Sequence, residues 1–366
     1  MKQGARSEDL GGRAVAIGAR AVLFLALVAG GYFSAHVMSR SFFIPWSVKK
    51  RIKEEALAIG SRSGGAFVPI GLAGSTVPVV RELPDGRVFF GTTKDGAWIF
   101  ARQHGSWRPE KKLGVEGAIT GVVPVASDFL VGTWGRGLWL ISADLAVARP
   151  IKSRPVHVYQ MTALSIPACG ALVASWEGLW CVRGSTLPWE ALPIEEGIHA
   201  TGVAVERGEN RVYWAAQDGR VFSGTLEPGE TPSRLTGVAE LGSVGPGATK
   251  LCWWEGSRSL LATKGNKTFV RRDGHWQELK ASRAGTERPV GILDCPDQGS
   301  ERVWVADFEK RSREVWLGLL SPAKEARWWA TRDLFLPISV LDGSTRGPTL
   351  LGSLGRGVIE LREQAF

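Results

Sequence analysis

An all-β propeller of seven blades is the fold this sequence predicts, and three observations predict it. The stretch Leu130 to Ile141, LVGTWGRGLWLI, is an apolar run, a tight glycine turn and a second apolar run carrying an aromatic. That is a hairpin, with glycine supplying the positive φ that its turn demands. The unit recurs at Phe89 to Phe100, Leu172 to Val182 and Leu350 to Leu361, and more loosely at Val212 to Phe222, Leu260 to Val270 and Val303 to Leu317. Copies about 40 residues apart have the period of propeller blades. Third, Gly 46 and Trp 16 are high for 366 residues, which suits glycine turns with aromatics packed between sheets.

The elements follow in order. Residues 1–13 form a short basic tail expected in the cytoplasm, with Lys2, Arg6 and Arg13. Residues 14–38 are apolar apart from Arg20 and are long enough to cross a bilayer. Phe33 and Ala35 fit a small-x-small cleavage site poorly, so the run reads as a retained signal anchor. Basic residues lie on both sides of it, and the positive-inside rule does not decide the orientation. A short cytoplasmic tail with an exported domain is the expected arrangement, placing the chain in the inner membrane as a single-pass protein with its propeller in the periplasm or outside the cell. Residues 39–65 are a linker: Phe42, Phe43 and Trp46 suit an interface, and Val48, Ile52, Ala56 and Ile59 give one apolar helical face.

The propeller occupies residues 66–366. Blade one starts at Thr76 and blade two runs from Ile119 to about Ser153. Blade three covers Val158 to Ile194, blade four Ala200 to Val238, blade five Ala248 to Ala281 and blade six Arg288 to Phe335. Blade seven starts at Pro337 and is one strand short when the chain ends at Phe366. The stretch Ala66 to Leu72, AFVPIGL, precedes blade one without a role in it. As the outermost strand of blade seven it would close the ring, with Pro69 tolerable on an outer edge. Cys169, Cys181, Cys252 and Cys295 have no zinc-like spacing. Buried thiols are expected, with a bridge between Cys252 and Cys295 as the alternative, and the redox compartment stays open.

The hairpin signature, apolar-x-Gly-Thr-x-x-x-Gly-[Leu/Ala/Val]-[aromatic/Ile], resembles the two-component regulator propeller repeat of bacterial ligand-binding sensor domains. It is carried by Gly91-Thr92 to Trp98, Gly132-Thr133 to Trp139 and Gly352-Ser353 to Ile359. The resemblance implies a bacterial sensor-type propeller. Known sensor-kinase members carry more blades and a kinase region, so no kinase activity is implied. A repeat of this kind specifies packing far better than activity.

No catalytic motif, cofactor-binding motif or metal loop is found, and the chain is expected not to be an enzyme. His157 and His199 fall at equivalent places before inner strands, and Asp294, Asp297 and Asp342 lie near inner-strand ends. The pattern that repeats is basic. The turns between second and third strands carry Lys94, Arg136, Arg220, Lys264 with Lys267, Lys310 with Arg311 and Arg313, and Arg356; blade three alone breaks the series, with Glu177. With a net charge of +9, this is a candidate positive ring for an acidic partner, a glycan or anionic headgroups. Trp253, Trp254, Trp328 and Trp329 occur as adjacent pairs, so each pair would turn one ring away from the blade core as a candidate partner anchor. The function expected is a membrane-anchored interaction scaffold or accessory subunit of a cell-envelope complex, contacting other envelope or membrane proteins and no nucleic acid. A periplasmic sensor for a small anion or glycan is the alternative, and a propeller lyase or hydrolase the third reading.

Overall fold

The structure, a computed structural model, describes residues 67–362 apart from 153–154, 167–168, 184–188, 207–208, 228–233, 294–301, 310–313, 324–325, 332–336 and 342–348. The proposed tail, span and linker (1–13, 14–38 and 39–65) lie outside the described residues. Among those described, no helix is long and apolar enough to cross a membrane.

Seven four-stranded antiparallel sheets follow one another along the chain. Each has strands A to D from the axis outward. Blade one is Val79–Glu82, Val88–Gly91, Ala97–Gln103 and Ser106–Leu113. Blade two is Ala118–Val125, Asp128–Trp134, Gly137–Ile141 and Ala148–Pro150. Blade three is Val158–Ile166, Cys169–Ser175, Gly178–Arg183 and Glu190–Glu196. Blade four is Ala200–Glu206, Arg211–Ala216, Arg220–Glu227 and Arg234–Ser243, and blade five Lys250–Trp254, Ser259–Lys264, Lys267–Arg272 and His275–Glu278. Blade six is Gly291–Ile292, Val303–Glu309, Glu314–Leu320 and Ala326–Ala330. Blade seven is Pro337–Leu341, Thr349–Ser353 and Val358–Leu361, completed by Phe67–Gly71.

The borrowed strand is therefore where the strand count placed it. Phe67 pairs with Leu361 and Pro69 with Ile359, and Phe67 is buried in the core of blades six and seven. The edge that would otherwise stay open is filled from the other end of the chain. Val77 N–H also donates to Ser353 O at 3.0 Å, stitching blade one onto blade seven.

The structure adds an element that the repeat pattern did not contain. Lys280–Arg283 and Thr286–Pro289 form a separate two-stranded hairpin between blades five and six. Arg283 reaches the buried Asp307 at 3.1 Å and lies over Trp316, 4.5 Å from the ring centroid. These contacts fasten the hairpin to blade six.

The signature residues have a packing reason. Thr92 Oγ1 donates to Gly96 O, Thr133 Oγ1 to Gly137 O and Ser353 Oγ to Gly357 O, each at 2.8 Å, so a buried hydroxyl closes the B–C turn from inside. The glycine before it makes room for the next blade. A Cβ on Gly91 would sit 2.5 Å from Ile119, and one on Gly132 2.7 Å from Val158.

Cysteine pairing departs from expectation. Cys169 and Cys181 form a disulfide inside blade three, spanning 12 positions of sequence. The favoured state was buried thiols, and the bridge considered joined Cys252 to Cys295. The two paired cysteines sit on adjacent strands B and C, a proximity the spacing alone did not reveal. Cys252 is buried in the core between blades five and six, and Cys295 lies outside the described residues.

Candidate functional site

Because the strands of each blade alternate in direction, all A–B and C–D turns emerge on one rim of the propeller. All B–C turns and the connections between blades emerge on the other. The A strands line an axial channel of about 210 Å³. The most developed side-chain constellation lies on the B–C rim, where blades two, three and four meet the channel mouth.

Trp134 ends strand B of blade two, and His157 immediately precedes strand A of blade three. The two residues form a backbone bridge, and their rings meet edge to face at 4.9 Å. Trp134 also meets Tyr159 at 4.8 Å. His157 Nδ1 lies 3.0 Å from Glu177 Oε1, and Trp176 N–H donates to His157 O at 3.0 Å. Trp176 then stacks on His199, which precedes strand A of blade four, with centroids 4.3 Å apart and planes at 29°. Two groups of rings, Tyr159–Trp134–His157 and Trp176–His199, thus span three blades, joined through the Trp176–His157 backbone hydrogen bond and Glu177.

The electrostatics follow from these contacts. Burial works to raise the Glu177 carboxyl, but hydrogen bonds from the His157 side chain, from backbone N–H groups and from the Ser175 hydroxyl outweigh it. Glu177 is held below the usual carboxylate range. Tyr159 is pushed up to about 12, by burial first and by the Glu177 charge second. At neutral pH the mouth therefore presents one anionic carboxylate and one neutral phenol.

Trp176 is the only exposed tryptophan among the described residues, with 43 % of its surface accessible. Val156 beside it and Leu354 in the blade-seven B–C turn are exposed on the same rim. The four tryptophans chosen from sequence as anchors behave otherwise. Trp254 is buried, and Trp253 is half-buried, stacked parallel to Tyr213 at 5.6 Å. Trp329 packs on Trp304 at 5.3 Å, and Trp328 donates its indole N–H to Ser282 O of the extra hairpin at 2.8 Å. Neighbouring blades and that hairpin cover the faces that strand alternation turns away from the blade's own core.

The basic turns are less uniform than the sequence suggests. Lys94 and Arg136 are exposed, and Arg136 has Glu116 at 3.8 Å. Arg220 is chelated by Asp218 at 2.7 Å and faces Glu240 at 3.8 Å; Lys267 is paired with Glu278. Lys264 is half-buried. Arg356 is buried, 3 % accessible, and does not belong to a surface ring. The reason is tertiary: the end of the closing strand packs tightly on this turn, where a Cβ on Gly357 would meet Gly71 O at 2.2 Å and Leu72 O at 2.4 Å, against 3.0 Å to Pro155 O for Gly137 in the Arg136 turn. Lys310, Arg311 and Arg313 lie outside the described residues, as do Asp294, Asp297 and Asp342.

Sequence reading singled out His157 and His199 but treated Glu177 only as a break in the basic series. It missed Trp134, Tyr159 and Trp176 as partners. The available signal was position: an acidic residue and a tryptophan replace the basic turn in the one blade flanked by both histidines. No cluster of three or more ligating side chains suited to a metal occurs among the described residues.

No protein-family model matches the chain, and no curated protein matches it. Solved structures do. A catalytically inactive histidine-to-alanine variant of virginiamycin B lyase from Staphylococcus aureus, with quinupristin, is 9% identical, covers 80% of this chain and 97% of its own, and superposes with a TM-score of 0.58. The WD40 β-propeller domain of Doa1 is 11% identical over 82% of this chain and 98% of its own, with a TM-score of 0.59. The extracellular domain of a hybrid two-component system from B. thetaiotaomicron is also 11% identical, over 82% of this chain and 41% of that one, with a TM-score of 0.59. At these identities the likeness is one of fold: the chain is a β-propeller, a fold shared by a lyase, a WD40 domain and the extracellular domain of a two-component system.

Proposed function

We propose that this chain is a non-catalytic, membrane-anchored docking propeller of the cell envelope. It binds another envelope or membrane protein through its B–C rim, with contact centred on Trp176. One observation carries the reading. Trp176 is stacked on His199 yet is exposed, on the rim that also exposes Val156 and Leu354. A preordered aromatic ring of this kind loses little entropy on docking and is the residue type that dominates interface energy. Arg136 and Lys94 on the same rim would supply charge steering towards an acidic partner.

Anchoring by residues 14–38 and export of the propeller belong to the same proposal. The Cys169–Cys181 disulfide supports it, since such bonds persist in oxidising compartments and are rare in the cytosol. A photo-crosslinking residue at position 156 should capture the partner in cells, whereas one at position 147, exposed on the opposite rim, should not. Equal capture from both positions would remove the assignment of the rim.

A second reading is favoured by the His157–Glu177 pair and its aromatic walls at the channel mouth: a small ligand bound there, as in a sensor. In that case small-molecule binding would be lost in His157→Ala, and partner capture through position 156 would not occur.

A further inference from the structure

The opposite rim holds a different constellation. Between blades four and five a cleft of about 400 Å³ opens towards the A–B and C–D turns. Blade four contributes Arg211 and Tyr213 from the start of strand B. Blade five contributes Trp253, Arg258 from the A–B turn and Arg271 from strand C, with Asp273 at the lip. Cations thus stand on both walls, and Asp273 is the one carboxylate lining the cleft among the described residues.

The walls are preorganised. Tyr213 and Trp253 stack with their planes only 6° apart. The Tyr213 hydroxyl donates to Glu206 Oε2 at 2.7 Å, so the nearby buried carboxylate is already engaged behind the wall. Arg271 donates to Leu241 O and lies over Trp276 at 5.9 Å, and the Trp276 indole N–H donates to the same carbonyl at 3.1 Å. That carbonyl fixes the guanidinium without neutralising it. Arg211 and Arg258 are exposed; Arg211 is hydrogen-bonded to the Tyr213 side chain, and among the described residues neither arginine has a carboxylate ion pair within 4 Å.

We propose that this interblade cleft binds a small oxyanion, a phosphate or sulfate ester, held between Arg211 on one wall and Arg258 and Arg271 on the other. Guanidinium groups suit this chemistry because their planar donor forks match tetrahedral oxyanions and stay charged at every physiological pH. The site is independent of the docking rim and lies on the other side of the ring. The ester has two sources, a soluble molecule or an anionic headgroup.

The test uses the full-length chain in neutral detergent micelles, with thermal unfolding followed as inorganic pyrophosphate is added. A saturable rise in Tm is expected for the native chain. In Arg258→Glu and Arg211→Glu the apparent affinity should fall roughly tenfold or more, the loss expected for one charge-assisted contact. Arg102→Glu, exposed on the same rim but in blade one, should bind as the native chain does. Doping the micelles with phosphatidylglycerol separates the sources: an arginine-dependent Tm rise there assigns a headgroup, and a rise with pyrophosphate alone assigns a soluble ester. No saturable rise with either, or a rise equal in all variants, overturns the site. Both charge-reversal variants alter exposed side chains, and their unliganded Tm reports whether they fold.

Discussion

The indole of Trp176 lies on the imidazole of His199 at 4.3 Å, and the residue next to it, Glu177, holds His157 at 3.0 Å. Two adjacent residues in one turn thus reach in opposite directions, each to the histidine that opens an A strand. The B–C turn of blade three thereby couples its own blade to blade four. Trp176 is thus seated on the histidine of the next blade, and not only on residues of its own turn.

Removing the Glu177 charge should cost stability in a pH-dependent way. Its folded pKa is depressed, so its contribution is complete above the usual Glu range and is lost as pH falls through the folded value. Glu177→Gln should therefore be less stable than the native chain at pH 7 by about 1 kcal/mol, discounted for the exposure of the pair. The difference should shrink towards zero as pH drops below the ordinary glutamate value of 4.5. Denaturant unfolding across that range measures it, and a pH-independent difference would mean that packing, not charge, is responsible.

Gln160 should be a structural staple. Its Nε2 donates to Leu251 O at 2.7 Å, while its Oε1 accepts from Leu251 N–H at 2.9 Å and Val203 N–H at 3.2 Å. One side chain thereby ties the A strands of blades three, four and five across the channel wall. Gln160→Leu leaves those groups without their partner and should cost about 2 kcal/mol by chemical denaturation.

Truncation should separate the closing strand from what precedes it. A chain beginning at residue 66 keeps the strand Phe67–Gly71 and should fold to a monomer with a cooperative transition. A chain beginning at residue 76 leaves strand Val358–Leu361 as an open edge and uncovers Leu361 and Ile359. It should unfold at lower temperature and self-associate, visible by light scattering.

Reduction should weaken blade three. The Cys169–Cys181 loop spans 12 positions, for which loop entropy gives about 3 kcal/mol. The protein recovered from cells should carry this bond by mass spectrometry, and the double variant Cys169→Ser, Cys181→Ser should melt at lower temperature without loss of fold.

Much of the fold was legible in the sequence because its repeat is local. A Gly-Thr hairpin states its own turn, and counting strands left one missing at the end and one spare at the start. The site was less legible because it depends on which segments cross which turns. Gly135-Arg136-Gly137 and Gly355-Arg356-Gly357 are identical tripeptides in equivalent turns, yet Arg136 is exposed and Arg356 buried. Interblade segments cross both turns, Gly137 N–H donating to Val156 O and Gly357 N–H to Ser75 O, but the second is packed more closely: a Cβ on Gly357 would meet Gly71 O at 2.2 Å, whereas one on Gly137 meets Pro155 O at 3.0 Å. Trp328 was likewise out of reach, since its partner Ser282 belongs to a hairpin outside the repeat. Glu177 and His157 lie 20 residues apart, and only the inward path of strand A brings them together.

The central claim is that this propeller docks a partner through the rim on which Trp176 stands. The most direct measurement is a detergent pull-down of the full-length chain beside Trp176→Ala and Arg136→Glu variants, all verified as folded. The account predicts that a specific membrane or envelope protein accompanies the native chain, is lost with Trp176→Ala and is reduced with Arg136→Glu. Recovery of the same partner, in the same yield, with Trp176→Ala would contradict it.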